Sequence, residues 1–395
     1  MGPLAGITVV ALEHAIAAPL ATRQLADQGA RVIKIERPGG GDFARGYDQR
    51  VRGLSSHFVW TNRGKQSLTL DLKHPRAQEV LARLLGRADV LVQNLAPGAA
   101  ARLGLSHTAL APKHPALIVC DISGYGDDPA RPGPYRDRKA YDLLIQAEAG
   151  FLSVTGSADA PAKAGCSIAD IAAGMQAYAG VLAALIERGR TGRGRRIDVS
   201  MLESMVEWMG FPLYYAFDGA AAPARAGAAH ATIYPYGPFA AADGPVLLAV
   251  QNEREWRAFC DSVLRRPGLA DDPRYQGNAR RHAARAELDA LLVPALAALT
   301  ADELLARLAA AGIASARVND MAQVWAHAQL RARERWTEVG TPAGPVPTLR
   351  PPGVARDEAW HSAPVPALGE HSETLLAELG YSDGQIAALR GEGVT

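Results

Sequence analysis

One carboxylate, Asp170, has surroundings that suit a nucleophile. Residues 164–171 predict a loop that turns into a long apolar helix rich in small residues. An acid at this point faces the positive end of the helix dipole, which favours the ionised form and keeps a carboxylate available for attack. The alternative interpretation is that Asp170, or Ser167 before it, only caps the helix. The residue types alone leave both interpretations open.

Several other catalytic patterns do not occur in the sequence. It has no HExxH, GxSxG or Walker motif, so metalloprotease, serine hydrolase and phosphate-loop NTPase chemistry lack their minimal residues. Cys166 lies close to Asp170, but no histidine is adjacent to it. We therefore expect Cys166 to be a small, buried apolar residue rather than a nucleophile.

Composition limits the partners and the compartment. The 42 Lys and Arg residues balance 41 Asp and Glu residues, giving a net charge of +1, which argues against nucleic acid or an anionic membrane as a partner. Cys120, Cys166 and Cys260 are widely spaced, so neither a disulfide framework nor a zinc site is predicted. The start lacks a signal-peptide pattern, and apolar runs such as 181–186 are too short to span a bilayer. We expect a soluble, cytoplasmic protein.

The elements that must position Asp170 alternate between strands and helices over the first 123 residues. This alternation predicts a Rossmann-like, parallel, helix-covered α/β sheet. The first strand-to-helix turn, residues 13–19, has none of the glycines that a dinucleotide pyrophosphate requires, so a nicotinamide or flavin cofactor is not expected. The predicted strands are 7–12, 31–36, 67–72, 89–92 and 116–121, and the predicted helices are 19–28 and 75–85.

The second half of the chain predicts a further domain. A helix from Asp170 to about residue 187 and a strand at 196–199 complete the first part of a large domain, residues 1–217. The Ala-, Gly- and Pro-rich residues 218–231 predict a linker to a smaller α/β domain, residues 232–328. Proline-rich residues 329–395 predict an extended return strap whose terminal helices complete the large domain. Within the smaller domain we expect a strand at 245–250 and helices at 253–263, 285–299 and 301–310; within the strap, helices at 372–379 and 383–389.

Five segments, taken in order and spacing, resemble the family III CoA-transferases. This group contains formyl-CoA:oxalate and carnitine CoA-transferases, with α-methylacyl-CoA racemase as an isomerase relative. The resemblance implies that Asp170 attacks an acyl-CoA thioester and that coenzyme A passes between acids through aspartyl anhydride and aspartyl-CoA thioester intermediates. The segments are residues 32–42, 62–73 and 94–98, the pair Tyr141 and Asp142, and Asp170.

The resemblance also implies a set of residues that bind coenzyme A as a co-substrate. Because coenzyme A carries a diphosphate and a 3′-phosphate, basic side chains are expected among them. No metal is expected. By matching position, the residues are His14, Ala15, Arg37, Leu70, Asn94, Arg102, Leu103, Lys139 and Tyr141.

Two departures from the family pattern narrow the choice among the possible reactions. The racemase pattern has a histidine where this chain has Tyr141, and a phenol with a pKa near ~10 is a poor base near neutrality. We therefore favour a transferase over the isomerase. No tetraglycine loop is present, which favours the branch that uses succinyl-CoA or a similar short dicarboxylyl-CoA over an oxalate enzyme. In that branch we expect Tyr234, Tyr236 and Arg254 to meet the substrate's free carboxylate, and Ile16 to be a further substrate-binding residue.

Three alternatives remain at this stage: an acyl-CoA racemase, transfer within one dicarboxylate such as mesaconyl-CoA, and a non-catalytic CoA-binding protein. The resemblance further implies a homodimer of two interlocked rings. A linker near residue 220 and a proline-rich return after residue 330 are compatible with that threading.

Overall fold

The computed structural model describes residues 2–354, 360 and 363–395. It forms two compact units. The first comprises Met1–Ala149, Ala164–Met209 and Gln329–Thr395, and the second comprises Gly150–Lys163 and Gly210–Ala328. The sequence-based division, with a linker from residue 218, differs because it leaves residues 150–163 and 210–217 in the large domain.

Hydrogen bonds explain why residues 150–163 join the second unit. The Gly227 N–H donates to the Gly156 carbonyl at 2.8 Å. The Arg225 guanidinium donates to the carbonyls of Ser157 and Ala158 at 2.9 and 3.0 Å. These bonds link segments far apart in sequence, so local sequence pattern did not reveal them.

A six-stranded parallel sheet forms the centre of the first unit. Its order is β3-β2-β1-β4-β5-β6. The predicted parallel, helix-covered α/β sheet is therefore confirmed. The strands are β1 (Thr8–Leu12), β2 (Arg31–Glu36), β3 (Lys65–Thr69), β4 (Val90–Gln93), β5 (Ile118–Ser123) and β6 (Arg196–Ser200).

The helices of the first unit cover the sheet. Helix α3 shows how nearby residues determine a helix. Pro75 occupies its first turn, and the His74 ring accepts the Arg76 N–H at 3.2 Å. One face of the helix buries Val80 and Leu84 in the core. These helices are α1 (Ala17–Asp27), α2 (Ser56–Asn62), α3 (Pro75–Leu85), α4 (Ala99–Arg102), α5 (His107–Leu110), α6 (Asp142–Glu148), α8 (Ile168–Thr191), α9 (Met201–Trp208), α17 (Ser372–Glu378) and α18 (Asp383–Gly391).

Helix α8 is longer than the sequence suggested. With 24 residues it is long and apolar enough to cross a membrane, which corrects the expectation that all apolar runs are too short. Within the first unit, however, it packs against α1, α6, α9, β5 and β6. Its buried side chains are mostly alanines, which permit close packing of this kind. These contacts bury one face of α8 within the first unit.

The C-terminal segment of the first unit contains more structure than an extended strap. Strands β10 (Trp336–Val339) and β11 (Val346–Leu349) form an antiparallel hairpin that the sequence analysis missed. Leu375 and Leu376 of α17 enter the core of the parallel sheet, as the predicted terminal helices require. Residues 355–359, 361 and 362 of the predicted strap lie outside the described residues.

The second unit has its own core and a three-stranded antiparallel sheet of order β7-β8-β9. Trp256, Phe259 and Leu292 are fully or almost fully buried in that core. The strands are β7 (Tyr236–Ala241), β8 (Gly244–Ala249) and β9 (Ala314–Arg317). The helices are α7 (Phe151–Val154), α10 (Gly210–Tyr215), α11 (Glu253–Ala258), α12 (Asn278–Ala283), α13 (Arg285–Ala297), α14 (Ala301–Ala310), α15 (Met321–Trp325) and α16 (Ala328–Ala332), which ends in the first unit.

Candidate active site

The order of strands in the parallel sheet reverses between β1 and β4. In α/β folds, ligands bind in the crevice that forms at such a reversal. The loops that follow these strands are joined through Asn94. Its side-chain oxygen accepts the His14 N–H at 2.9 Å, and its side-chain nitrogen donates to the His14 carbonyl at 2.9 Å. Both hydrogen-bonding groups of this amide therefore act on the loop after β1.

The next residue of that loop, Ala15, has φ of +61°, a left-handed conformation that residues with a β-carbon seldom adopt. The Asp42 carboxylate accepts the Ala15 N–H at 3.1 Å. Two residues further on, helix α1 begins at Ala17. The loop is thus held from two sides, at His14 by Asn94 and at Ala15 by Asp42.

Beneath the loop lies a fully buried group of charges. Lys34 contacts Asp42 at 2.8 Å and Glu13 at 3.4 Å, and Lys65 contacts Glu13 at 2.6 Å. Burial alone would raise the pKa of Glu13, but the two lysines hold it below its ordinary value. Burial lowers the pKa of Lys65 to about 7. Buried charges that all have partners support a rigid base for the loop.

Asp170 lies in the first turn of α8 and is half-buried. The backbone N–H of Ala17, the first residue of α1, faces this carboxyl group and favours its ionised form. The acid therefore faces the N-termini of two helices, its own and α1. Gly174, one turn along α8, allows this approach, because a β-carbon there would lie 2.7 Å from the Ala17 carbonyl oxygen.

The electrostatics of Asp170 differ from the expectation. Burial, reinforced by the neighbouring Asp142 carboxylate, raises the pKa of Asp170 to about 7, although the Ala17 N–H opposes the rise. The helix dipole was expected to favour ionisation, but loss of hydration outweighs it. Asp170 is therefore a carboxyl group that changes protonation near neutral pH, which is typical of catalytic acids and nucleophiles.

Capping of α8 comes from neither residue considered from the sequence. The Ser167 side chain makes no capping hydrogen bond. Instead, Asp142 accepts the Ala169 N–H at 2.8 Å and also accepts from the Gln146 side chain at 2.7 Å. Asp142 belongs to α6, so this contact was invisible in the sequence around Asp170. Cys166 is exposed, contrary to the expected burial.

A cavity of about 150 Å³ opens beside the loop after β1. It brings together three residues of the predicted CoA set, His14, Arg37 and Leu70, and adds Lys73, which sequence reasoning missed although it ends the segment 62–73. The His14 ring stacks on Phe43 with centroids 5.5 Å apart. Burial lowers the pKa of His14, and its Nδ1 atom has no hydrogen-bond partner within the described part of the chain. The lining combines an apolar wall with two cations, Arg37 and Lys73, and two carboxylates, Glu36 and Asp71. The cavity can therefore hold a small part of a ligand that has both apolar and charged groups.

The remaining predicted CoA residues lie outside that cavity. Arg102 ends α4 and is exposed, and Leu103 beside it packs against the core. Lys139 and Tyr141 are exposed just before α6, and Tyr141 is the residue that precedes Asp142. Tyr141 also influences the Tyr47 phenol, whose pKa rises to about 12 through burial and through Asp42, Asp170 and Tyr141.

The four expected substrate contacts are distributed over both units. In the first unit, Ile16 is buried at the start of α1. In the second unit, the buried Tyr234 hydroxyl donates to Asp289 at 2.5 Å, so its donor is already used within that unit. Tyr236 stacks on His230 with centroids 5.2 Å apart, and Arg254 is exposed. No group of three or more metal-ligating side chains occurs among the described residues.

Comparison with known proteins gives consistent results over nearly the whole chain. The model of CoA-transferase family III matches residues 4–372. The chain is 34% identical to succinate–glutarate CoA-transferase of Agrobacterium fabrum, covering 95% of this chain and 96% of that protein. It is 36% identical to acetyl-CoA:oxalate CoA-transferase of Acetobacter aceti, covering 87% and 89%. A crystal structure of a CAIB/BAIF family protein from Brucella suis superimposes with a TM-score of 0.82 at 34% identity, covering 96% and 99%.

Proposed function

Because the chain belongs to CoA-transferase family III, we propose that it moves coenzyme A from succinyl-CoA, or a similar short dicarboxylyl-CoA, to a small carboxylic acid with Asp170 as nucleophile. The observation that carries this proposal is the half-buried Asp170 carboxyl group in the first turn of α8, with the Ala17 N–H of α1 facing it and a pKa raised to about 7. A CoA-binding protein without chemistry has no need of such an acid.

The proposed sequence has four acyl transfers. The Asp170 carboxylate attacks the donor thioester carbonyl, forming a mixed anhydride and releasing CoA thiolate. The thiolate attacks the aspartyl carbonyl of the anhydride, giving aspartyl-CoA thioester and the free donor acid. The acceptor carboxylate attacks that thioester, forming a second anhydride and again releasing thiolate. The thiolate then attacks the acceptor's carbonyl, which yields the new acyl-CoA and regenerates Asp170.

Backbone groups support the charge that develops in these steps. When the aspartyl carbonyl is attacked, its oxygen becomes an oxyanion, and the Ala17 N–H at the start of α1 is placed to stabilise it. The two helix N-termini add a favourable field. A proton shuttle is unnecessary because carboxylates and thiolate exchange directly, so His14 is assigned to binding and positioning.

Coenzyme A is proposed to bind beside this acid. Arg37 and Lys73 supply charge for its phosphates, while His14 and Leu70 line the adjoining cavity. Arg102, Lys139 and Tyr141 extend the proposed contacts by family position. Ala15 and Asn94 contribute through the loop backbone, as their hydrogen bonds support. Tyr236 and Arg254 remain the proposed contacts to the free carboxylate of a diacid.

We also propose a homodimer of interlocked rings in a reducing cytoplasm. In the second unit, Phe211, Leu213, Tyr214 and Phe217 expose apolar side chains along a short stretch, which supports contact with a second chain. The three cysteines are free thiols, as a reducing compartment favours. Light scattering on dilution tests the dimer, and well-folded monomers would contradict the interlocked arrangement.

The deciding experiment is incubation with succinyl-CoA and a mixture of glutarate, mesaconate and oxalate, followed by mass analysis of the acyl-CoA products. We expect a new acyl-CoA, and its mass identifies the acceptor. Asp170→Ala should abolish transfer while retaining CoA binding. Asp383→Ala, which removes an exposed acid from the first turn of α18, is the matched control and should keep full activity.

A parallel incubation separates the transferase from the isomerase. Succinyl-CoA is kept in deuterated water without any acceptor acid. We expect no deuterium at the α-carbon on the time scale of turnover. Uptake at a catalytic rate, or full transfer by Asp170→Ala, would contradict the proposed function.

A further inference from the structure

Asp42 is a buried carboxylate that lies outside the reacting groups. It is fully buried, and both of its oxygens have partners. One oxygen accepts the N–H groups of Ala15 and Ala44, at 3.1 and 2.9 Å. The other accepts from Lys34 at 2.8 Å. The Asp42 N–H in turn donates to Glu36 at 3.0 Å, which fixes its own backbone.

The contact with Ala15 holds the backbone at an unfavourable point. At φ of +61°, the β-carbon of alanine crowds its own backbone, so this conformation persists only where surrounding contacts enforce it. Asn94 fixes the preceding residue, His14, but makes no bond to Ala15. The His14 carbonyl and the Ala15 N–H belong to one peptide group, so Asn94 and Asp42 hold that group together, and Asp42 supplies the contact to the strained residue's own N–H.

The strained residue is close in sequence to the group that touches the nucleophile. Ala17 follows Ala15 by two residues, begins α1, and lies against α8 one turn from Asp170, where a β-carbon on Gly174 would be 2.7 Å from its carbonyl oxygen. Its N–H favours the ionised form of Asp170. A change in the Ala15 backbone angles therefore redirects the Ala17 N–H. Because the charged group around Lys34 is fully buried, Asp42 has little freedom to move. It therefore holds the Ala15 backbone in one position.

We propose that Asp42 is a positioning residue for the transfer reaction: by holding Ala15 in its left-handed turn, it aims the Ala17 N–H at Asp170. This inference rests on the proposed function of Asp170. It assigns Asp42 no contact with substrate. Its effect on Asp170 is exerted through the backbone between Ala15 and Ala17.

The test combines removal of the carboxylate with relief of the strain. Asp42→Ala should lower kcat about 10- to 100-fold, as a misplaced catalytic contact does, with a smaller change in KM for succinyl-CoA. The acid limb of the pH–rate profile should move to higher pH because the Ala17 N–H, which favours ionised Asp170, turns away from the carboxyl group. The variant keeps Asp142, which raises the pKa of Asp170, and it keeps Tyr47 and Tyr141. Loss of the Asp42 charge lowers the pKa of the Tyr47 phenol toward its ordinary value.

A second substitution distinguishes positioning from simple loss of stability. Glycine adopts positive φ without strain, so Ala15→Gly added to Asp42→Ala should restore at least part of kcat and return the acid limb toward its original pH. Ser67→Ala is the matched control, since it removes a 2.6 Å hydrogen bond to Glu36 in the same buried group but none to the loop. It should lower Tm and leave the pH profile unchanged. If Asp42→Ala fails to fold, Asp42→Val takes its place, because it fills more of the buried volume and still offers no oxygen to the Ala15 N–H. Asp42→Asn, which keeps an oxygen for Ala15, should retain most of kcat.

The outcomes of this test can be told apart from a failure of the proposed function. A folded Asp42→Ala or Asp42→Val variant with wild-type kcat and an unshifted acid limb would overturn the inference, as would a loss that follows Tm and that Ala15→Gly does not relieve. If Asp170→Ala retains transfer, the proposed function fails instead. The two failures are therefore distinguishable.

Discussion

Gly174 of α8 and Ala17 of α1 approach so closely that a β-carbon on Gly174 would lie 2.7 Å from the Ala17 carbonyl oxygen. Gly174 lies one helical turn after Asp170, on the same face. The absence of a side chain therefore lets α1 place its first N–H against the Asp170 carboxyl group. The close packing of α1 against α8 therefore also determines the geometry around the candidate nucleophile, Asp170.

Gly174→Ala should consequently separate α1 from α8. We expect kcat to fall about tenfold or more, because backbone on the facing helix must shift, and Tm to fall as well. Gly189→Ala is the matched control on the same helix, since nothing lies within 4 Å of a β-carbon there. It should raise stability by about 0.5–1 kcal/mol, the usual gain for alanine over glycine in a helix. Steady-state kinetics and thermal unfolding measure both effects, and equal behaviour of the two variants would refute the packing argument.

The pH dependence of transfer should report Asp170. The carboxylate is the attacking form, and its pKa in the folded protein is raised to about 7 by burial and by Asp142. Activity as kcat/KM should therefore rise with pH through about 7 and level off above it. An acid limb near pH 4, the ordinary range of an aspartate, would show that Asp170 is not desolvated in solution.

The same shift predicts how stability depends on pH. Asp170 in the folded protein keeps its proton between about pH 4 and 7, whereas in the unfolded chain it loses it from its ordinary pKa of 3.8. Ionisation therefore destabilises the folded state progressively as pH rises through this window, and the loss is complete above 7. Asp170→Asn, which stays neutral, should raise the free energy of unfolding by roughly 2 kcal/mol at pH 8, half-burial reducing the full effect, and by little at pH 4. Urea unfolding at the two pH values checks this, with exposed Asp383→Asn as the control.

Asp142 should set part of the Asp170 pKa. Asp142→Asn keeps a side-chain oxygen to accept the Ala169 N–H but removes a negative charge, so the acid limb should move to lower pH by roughly 0.5–1 unit. Asp320→Asn changes another helix-capping aspartate, whose oxygen accepts the Gln323 N–H, and should leave the limb in place. A limb that does not move in Asp142→Asn would mean that burial alone raises the pKa.

Arg37 should contribute to binding of the CoA donor more than to chemistry. Arg37→Gln removes a charge at the cavity beside His14, so KM for succinyl-CoA should rise about 3- to 10-fold with kcat nearly unchanged. Arg193→Gln, an exposed arginine in the loop after α8, is the control for a general change in charge. A similar rise in both variants would show that Arg37 acts only through net charge.

The strands and helices of the first unit were predictable where a short stretch of sequence determines each of them. Strand β2 has the residues predicted, Arg31–Glu36, and α3 has its predicted bounds, Pro75–Leu85, since alternating β-branched residues and a proline-started amphipathic turn are read within a few residues. The hairpin β10–β11 was missed because its pairing is not evident in a proline-rich segment.

What the sequence by itself determined was the parallel α/β sheet, the family, and Asp170 as the residue to examine. What only the tertiary structure decided was the environment of that acid. The Ala17 N–H, the Asp142 carboxylate and the Gly174 close approach all come from residues brought together by packing, some of them far from Asp170 in the chain. Desolvation depends on every atom that excludes water, so the rise of the Asp170 pKa could not be read from its neighbours in sequence, which predicted the opposite direction.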